Sequence, residues 1–340
     1  MKSILNTKLS LPIFMICCFL ASGATYIFAL KSSNEKIELL TQEQTEKELL
    51  ATEDCNYNVD RMSGYKFIKP IMFVDKDCEA ASLKPIKLKI LQIIDSYKAS
   101  RNLNQASVYI RDFNSTSWTA INPQENYEPG SLFKVPILLC FLKMNEIQPG
   151  IIDRKLRLEA PFENKLNVAF KSKSIQVGKS YTIRELLKYM IVYSDNNATM
   201  LLNQNIQHSV LSRIFSDLDL PIPDKNAPHY YFTVGQYSMF MRAIYNACYL
   251  NPKDSEYAAK LLTQAVFSEG IRNAIPKPIP IAHKFGESGN SDELQLHESA
   301  IVYLQNRPFL LTIMTKGKDN QKLANLMSDI TDVVYEDFSK

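Results

Sequence analysis

The 340-residue chain lacks an excess of charge of either sign: 39 basic residues meet 36 acidic ones, for a net of +3, and no basic stripe gathers along it. That argues against nucleic acid as a partner, because phosphate backbones are gripped by clustered Lys and Arg. Histidine is scarce as well. The four present form no ligand pattern, and the six cysteines show no metal-binding spacing, so neither a metal nor a cofactor is implied. Internal repeats and low-complexity tracts are missing, which excludes a repeat array or a disordered chain. What remains, 46% hydrophobic and 22% charged residues, suffices for one large core and an appendage.

Charge is also missing locally. Lys2 and Lys8 precede a run over residues 9–30 that carries none, long enough to cross a bilayer as a helix. A cleaved signal peptide is the rival, with an apolar stretch over 11–20 and small residues at Ala21, Ser22, Gly23 and Ala24. The apolar run continues through residues 26–30, which favours a retained anchor. Both readings place the rest of the chain outside the cytoplasm. Residues 31–54, dense in Lys, Glu, Gln and Thr, read as a solvated stalk. Cys55 and Cys78 flank a lead-in segment over 55–83 and can pair in an oxidising exterior, where closing a loop of that size stabilises by about 3 kcal/mol. Cys140 and Cys248 fall on apolar helix faces and read as core.

The large domain spans 84–340. Apolar periodicity predicts a helix over 84–100, strands over 107–113 and 117–121, and a helix from Ser131. Thr182 and Glu185 form a capping box, residues 233–236 cap another helix, and Asn251-Pro252 starts a third. Three strands follow near 279–287, 298–304 and 308–315, and then a last helix from about Asn320. Strands at both ends with helices between imply an α+β domain whose antiparallel sheet is assembled from distant segments.

The chemistry sits in Ser131-Leu132-Phe133-Lys134. A serine three residues before a lysine shares its helical face, and a lysine whose pKa is lowered by burial can take the hydroxyl proton. The spacing alone is weak, for it recurs at Ser33/Lys36 and Ser63/Lys66. Context separates Ser131 from these: Glu128-Pro129-Gly130 reads as a turn and Phe133 onward as a buried helix, so Ser131 falls at a helix start where free N–H groups favour negative charge. By itself this also fits a plain N-cap beside a solvated lysine. Pro136, five residues in, is an oddity unless the helix has barely begun.

Two further motifs shift that balance. Ser194-Asp195-Asn196 brings a second hydroxyl and an amide, and Lys284-Phe285-Gly286 lies on a late strand. Ser-x-x-Lys, Ser-Asp-Asn and Lys-x-Gly in this order mark class A β-lactamases and penicillin-binding proteins. From residue 84 onward the chain resembles the class A β-lactamase family. The resemblance implies a five-stranded antiparallel sheet, a helical lobe and a site between them. It implies Ser131 as the acylated nucleophile, Lys134 as its base and Ser194 as proton relay. It also implies Asn196 and Lys284 as substrate contacts, and the N–H groups of Ser131 and Glu287, beside Gly286, as the oxyanion hole.

Two departures stand out. Phe285 replaces the family's hydroxyl residue, so a contact to a substrate carboxylate is lost. The family's deacylating glutamate is missing from residues 219–232, where Asp224 is the only carboxylate after the prolines begin. His283, one residue from Lys284 on a strand, points to the opposite face, and Asp195 reads as ordering its loop. The implied partner is a small β-lactam or a peptidoglycan peptide. The readings left open are a β-lactamase with slow deacylation, a D-alanyl carboxypeptidase, and a sensor that is acylated once and stays so.

Overall fold

A computed structural model describes residues 31, 55–162, 169–170, 173–223 and 230–340. The uncharged run 9–30, the rest of the stalk and Asp224 lie outside the described residues. Residues 55–340 make one compact unit. Among the described residues no helix is long and apolar enough to cross a membrane.

The unit opens with a hairpin of β1 (Tyr57–Arg61) and β2 (Ile71–Lys76), read from the sequence only as a lead-in segment. Cys55 and Cys78 are disulfide-bonded across its base, closing a loop with a sequence separation of 23. Helix α1 (Lys84–Ala99) leads into β3 (Leu103–Asp112) and β4 (Trp118–Ile121). After a 3-10 turn at Gly130–Phe133 come α2 (Lys134–Ile147), the short pair β5 (Lys155–Arg157) and β6 (Ser180–Thr182), then α3 (Ile183–Val192), α4 (Asn196–Asn203) and α5 (His208–Asp217). The chain continues through α6 (Val234–Tyr245), α7 (Pro252–Leu262) and α8 (Ile271–Ala274). It ends with β7 (Ile281–Gly289), β8 (Leu294–Val302), β9 (Phe309–Gly317) and α9 (Asn320–Phe338).

The sheet is five-stranded and antiparallel in the order β4-β3-β9-β8-β7, so its centre joins the two ends of the domain. Alternation along each strand splits the core into two layers. Val108 and Ile110 face α1 and α9, joined by Ile86, Ile90, Leu323 and Ile330, whereas Tyr109, Leu310 and Met314 face the helical lobe. Capping boxes are formed at Thr182/Glu185 and Thr233/Gln236, and the Asn251 side chain caps α7. Strand β8 starts four residues earlier than the sequence suggests. Polar Gln295, His297 and Glu298 interrupt its apolar run, and all three are buried with partners.

Helix α2 explains Pro136. Ser131 lies in the preceding 3-10 turn, and Pro136 is only the third residue of the α-helix proper. The ring removes the donor that Leu132 O would otherwise receive, and the Tyr237 hydroxyl donates to that carbonyl instead at 3.1 Å. Every residue from Lys134 to Leu142 is buried, so this helix is the spine of the lobe.

Candidate active site

The turn before Ser131 is fixed by the sheet. Glu128 O accepts from Ser288 Oγ at 2.8 Å and from His297 Nε2 at 2.9 Å, while Glu128 N donates to Gln295 Oε1 at 3.1 Å. His297 also accepts from Thr315 N through Nδ1 at 3.2 Å, and burial pulls its pKa down to about 3, so it stays neutral with Nε2–H as the donor. Strand β7 is a sheet edge, and the Gly130–Phe133 turn packs on its outer side. The approach leaves no room for side chains. A Cβ on Gly286 would stand 2.3 Å from Pro129 O and 2.8 Å from Leu132 N, and one on Gly130, at φ +50, would stand 2.1 Å from Glu287 O. Gly286 is thus what lets the backbones of Ser131 and Glu287 come together.

Helix α3 delivers the second motif. At its end Ser194 takes φ +53, a left-handed conformation that costs a non-glycine residue on the order of 1 kcal/mol or more. Lys134 Nζ donates to Ser194 O at 2.6 Å, which holds that backbone, and also to Ser194 Oγ at 3.1 Å and Asn196 Oδ1 at 2.8 Å. Lys284 Nζ donates to the same Ser194 Oγ at 2.9 Å and to Phe285 O at 2.9 Å. With both acceptor positions of its hydroxyl filled, Ser194 keeps its proton for a third group. Asp195 performs the ordering expected of it: it caps α4 through Asn197 N and Ala198 N and accepts from Ser174 Oγ at 2.6 Å and Ile175 N at 3.0 Å.

Two lysines this close cannot both stay charged at little cost. Burial brings Lys134 down to about 7, against the upward pull of Asp195 and Glu287. Burial likewise drives Lys284 well below the lysine range, and the charge of Lys134 adds to that effect. Neutral Lys134 is therefore within reach at ordinary pH; its three donated bonds belong to the ammonium form, and losing the proton gives up one of them and frees the lone pair that a base for a serine hydroxyl requires.

A cavity of about 600 Å³ collects Ser131, Lys134, Ser194, Asn196 and Glu287 on its wall. Lys284 is 1% exposed and is not on that wall, for the Phe285 ring lies 4.3 Å from its Nζ. Phe285 stacks on Phe267 at 4.1 Å between centroids and meets Phe170 edge-on at 6.1 Å. The substitution seen in the sequence thus does more than remove a hydroxyl: it roofs the lysine. Tyr193 also lines the cavity, with its ring centroid 5.6 Å from Lys173 Nζ.

Sequence reasoning missed the Glu287 side chain. Its carboxylate accepts from Ala169 N at 2.9 Å, and burial raises its pKa against the opposing pull of hydrogen bonds from Ala169 and Phe170 N–H. It also missed His297, Gln295 and Tyr237, whose partners at the Ser131 turn, Glu128 and Leu132, are over a hundred residues away and carry no local signal. His283 does point away, its Nδ1 lying 2.6 Å from Glu298 Oε1 in the core. The metal-capable group found among the described residues, Cys55, Asp77 and Cys78, has both thiols consumed by the disulfide.

The sheet, the lobe and the cleft between them are the β-lactamase/transpeptidase arrangement. The sequence profile of the β-lactamase enzyme family matches residues 86–338, and the chain belongs to that family of serine hydrolases. Among solved structures, PBP-A is 20% identical, with 75% of this chain and 96% of that one covered and a TM-score of 0.63. A class A β-lactamase from Mycobacterium abscessus is 18% identical, covering 75% and 100%, at a TM-score of 0.60. A β-lactamase from Chitinophaga pinensis is 16% identical, covering 74% and 99%, at 0.64. A PBP-A mutant solved as its acyl-enzyme complex with penicillin G is also similar. At these identities the likeness is one of fold. No curated protein matches the chain.

Proposed function

We propose that the protein acylates itself on Ser131 with a β-lactam and releases the product slowly. The observation that carries this is the buried web in which Lys134 and Lys284 both donate to Ser194 Oγ, with Ser131, Lys134 and Ser194 on one cavity wall. Ser131 Oγ attacks the lactam carbonyl carbon, and its proton passes to neutral Lys134 Nζ. The N–H groups of Ser131 and Glu287, brought together by Gly286, receive the oxyanion. As the C–N bond breaks, the nitrogen takes the Ser194 proton, which Lys134 replaces, and an ester remains on Ser131. Asn196 has its Oδ1 committed to Lys134, so its Nδ2 is free to donate to a substrate amide.

Hydrolysis of the ester needs a base for water. Among the described residues the cavity wall carries two carboxylates, and both are engaged: Asp195 in capping and Glu287 with Ala169. General-base assistance is worth roughly 10² to 10⁴, so deacylation is the slow step. The same feature favours a second reading, in which the natural substrate is a peptidoglycan D-alanyl peptide and the β-lactam a trap. Intact-protein mass spectrometry after mixing with penicillin, followed over time, tests both. The expected result is a one-to-one adduct that persists and is absent in Ser131→Ala. Rapid disappearance of the adduct with continued hydrolysis would sink slow deacylation, and an adduct on Ser131→Ala would move the nucleophile elsewhere.

The uncharged run over 9–30 supports export with retention at the membrane. The full chain should then fractionate with membranes, its domain open to external protease. A soluble extracellular form starting near residue 25 would replace the anchor with a cleaved signal.

A further inference from the structure

The hairpin that precedes the catalytic fold has two unlike faces. Its inner face is docked: Met72 and Phe73 are buried, Arg242 lies over the Phe73 ring at 4.4 Å, and Asp75 pairs with Arg111 at 2.7 Å and with Arg242 at 2.5 Å. Its outer face and tip are bare. Tyr57, Val59, Tyr65, Phe67, Ile68, Ile71 and Val74 are seven of the fourteen large apolar side chains left exposed among the described residues, and Phe67 is 87% exposed. Half of the exposed apolar bulk thus falls within eighteen residues, which is more than scattered surface hydrophobes require.

The tip is also cationic and held in shape. Between residues 61 and 74 the charges are Arg61, Lys66 and Lys69, all exposed, with no acid among them. Met62 N donates to Pro70 O at 2.9 Å and Arg61 Nη1 to Lys69 O at 2.7 Å, which close the loop, while Arg213 Nη2 donates to Ser63 O at 3.0 Å and ties it to the lobe. Lys66 Nζ lies 5.0 Å from the Phe67 ring, so the cations ride beside the aromatics they would accompany. Aromatic and aliphatic side chains interleaved with Lys and Arg are the composition of a segment that rests in the headgroup layer.

We propose that this tip docks on an anionic phospholipid surface, inserting Tyr65, Phe67 and Ile68 at the headgroup boundary with Arg61, Lys66 and Lys69 among the phosphates. The charge supplies the attraction and the pre-shaped loop keeps the ordering cost low. A surface rather than a protein partner is indicated by the composition of the tip, where Phe67 and Ile68 stand exposed among Arg61, Lys66 and Lys69 with no acid between residues 61 and 74; the groove beside it, lined by Ser63, Gly64 and Tyr65 with Glu146 and Asp217, takes in neither those two side chains nor the three cations. The uncharged run over 9–30, some thirty residues upstream, would tether that tip near such a surface.

The test is the full chain carrying Phe67→Trp, reconstituted in vesicles of phosphatidylcholine alone or with phosphatidylglycerol, with bromine on the acyl chains. Trp118 is the sole native tryptophan and serves as an internal reference. Bromolipid quenching of the reporter by about twofold or more in anionic vesicles, weakened by salt and by Lys66→Glu with Lys69→Glu, is expected. Equal acrylamide access with and without anionic lipid, and no lipid quenching, would overturn the proposal. A blue shift that grows with protein concentration in lipid-free detergent would overturn it in favour of self-association. Sedimentation of the chain with vesicles reports the 9–30 run, whereas the reporter reads the hairpin, so the anchor and the docking surface fail separately.

Discussion

The floor and the rim of the cleft are built in opposite ways. The floor is polar and over-determined: Lys134 spends three hydrogen bonds on Ser194 and Asn196, Lys284 adds a fourth to Ser194 Oγ, and glycine backbones press strand β7 against the Ser131 turn. The rim is aromatic and joined by few contacts, chiefly Phe285 with Phe267 and Phe170, and Glu287 with Ala169. A floor of this kind specifies a reaction, because it places proton donors and acceptors to within a bond length. The rim decides what may enter. In this protein the two are unlike, with a polar floor of lysine donors around Ser194 and an aromatic rim whose Phe285 ring lies over Lys284.

Breaking the floor should have the largest effect. Lys134→Ala removes the base and the bond to Ser194 O together, and acylation by a penicillin should slow by on the order of a hundredfold or more, measured as adduct formation in stopped time points. In the parent protein the acylation rate should rise with pH through about 7 and then level, since burial leaves Lys134 neutral above that value. The stability sign runs the same way. Because the folded value lies below the ordinary lysine range, the contribution is complete above that range and is lost as pH falls through about 7. An acylation rate flat from acid to alkaline pH would remove Lys134 from the chemistry.

How legible each region was follows from the same contrast. Ser131, Lys134, Ser194 and Asn196 could be singled out because their spacing is local: one pair three residues apart in a single turn, and one pair two apart at a helix junction. The sheet was legible from apolar periodicity, and three of the helices, α3, α6 and α7, from their caps. Lys284 was found as a motif, but its burial was not, because the ring over its Nζ depends on how Phe285 meets Phe267 and Phe170. The carboxylate of Glu287 and the imidazole of His297 act through partners more than a hundred residues away, and periodicity carries no trace of such pairs. The hairpin was missed for another reason: its register shifts between Asp60 and Arg61, and one face is apolar toward solvent, which inverts the usual alternation.

Opening the rim should alter selectivity more than rate. Phe285→Ser takes the ring off Lys284 Nζ, and a lysine returned to solvent regains its charge and can meet a carboxylate. A charge-assisted hydrogen bond contributes about 1.5 kcal/mol or more, so acylation by a penicillin relative to its methyl ester should improve by roughly tenfold. The ratio is the readout because loss of a stacked ring also lowers stability, which affects both substrates alike. A ratio that stays where it was would mean that Lys284 is unavailable for reasons other than Phe285.

The smallest effect expected joins the two regions. Glu287 belongs to the rim, yet its charge acts on the floor, since it is one of the two carboxylates that raise Lys134 against burial. Glu287→Gln keeps an acceptor for Ala169 N and removes the charge. Lys134 should then lose its proton more easily, and the rising limb of the acylation profile should move to lower pH, with its plateau within about threefold of the parent because the oxyanion N–H groups are untouched. Glu287→Ala separates the two functions: it should shift the limb equally while also releasing Ala169 from the rim. A limb that moves to higher pH, or does not move in either variant, would show that the carboxylate and the lysine do not sense each other, and that the rim is electrically separate from the floor.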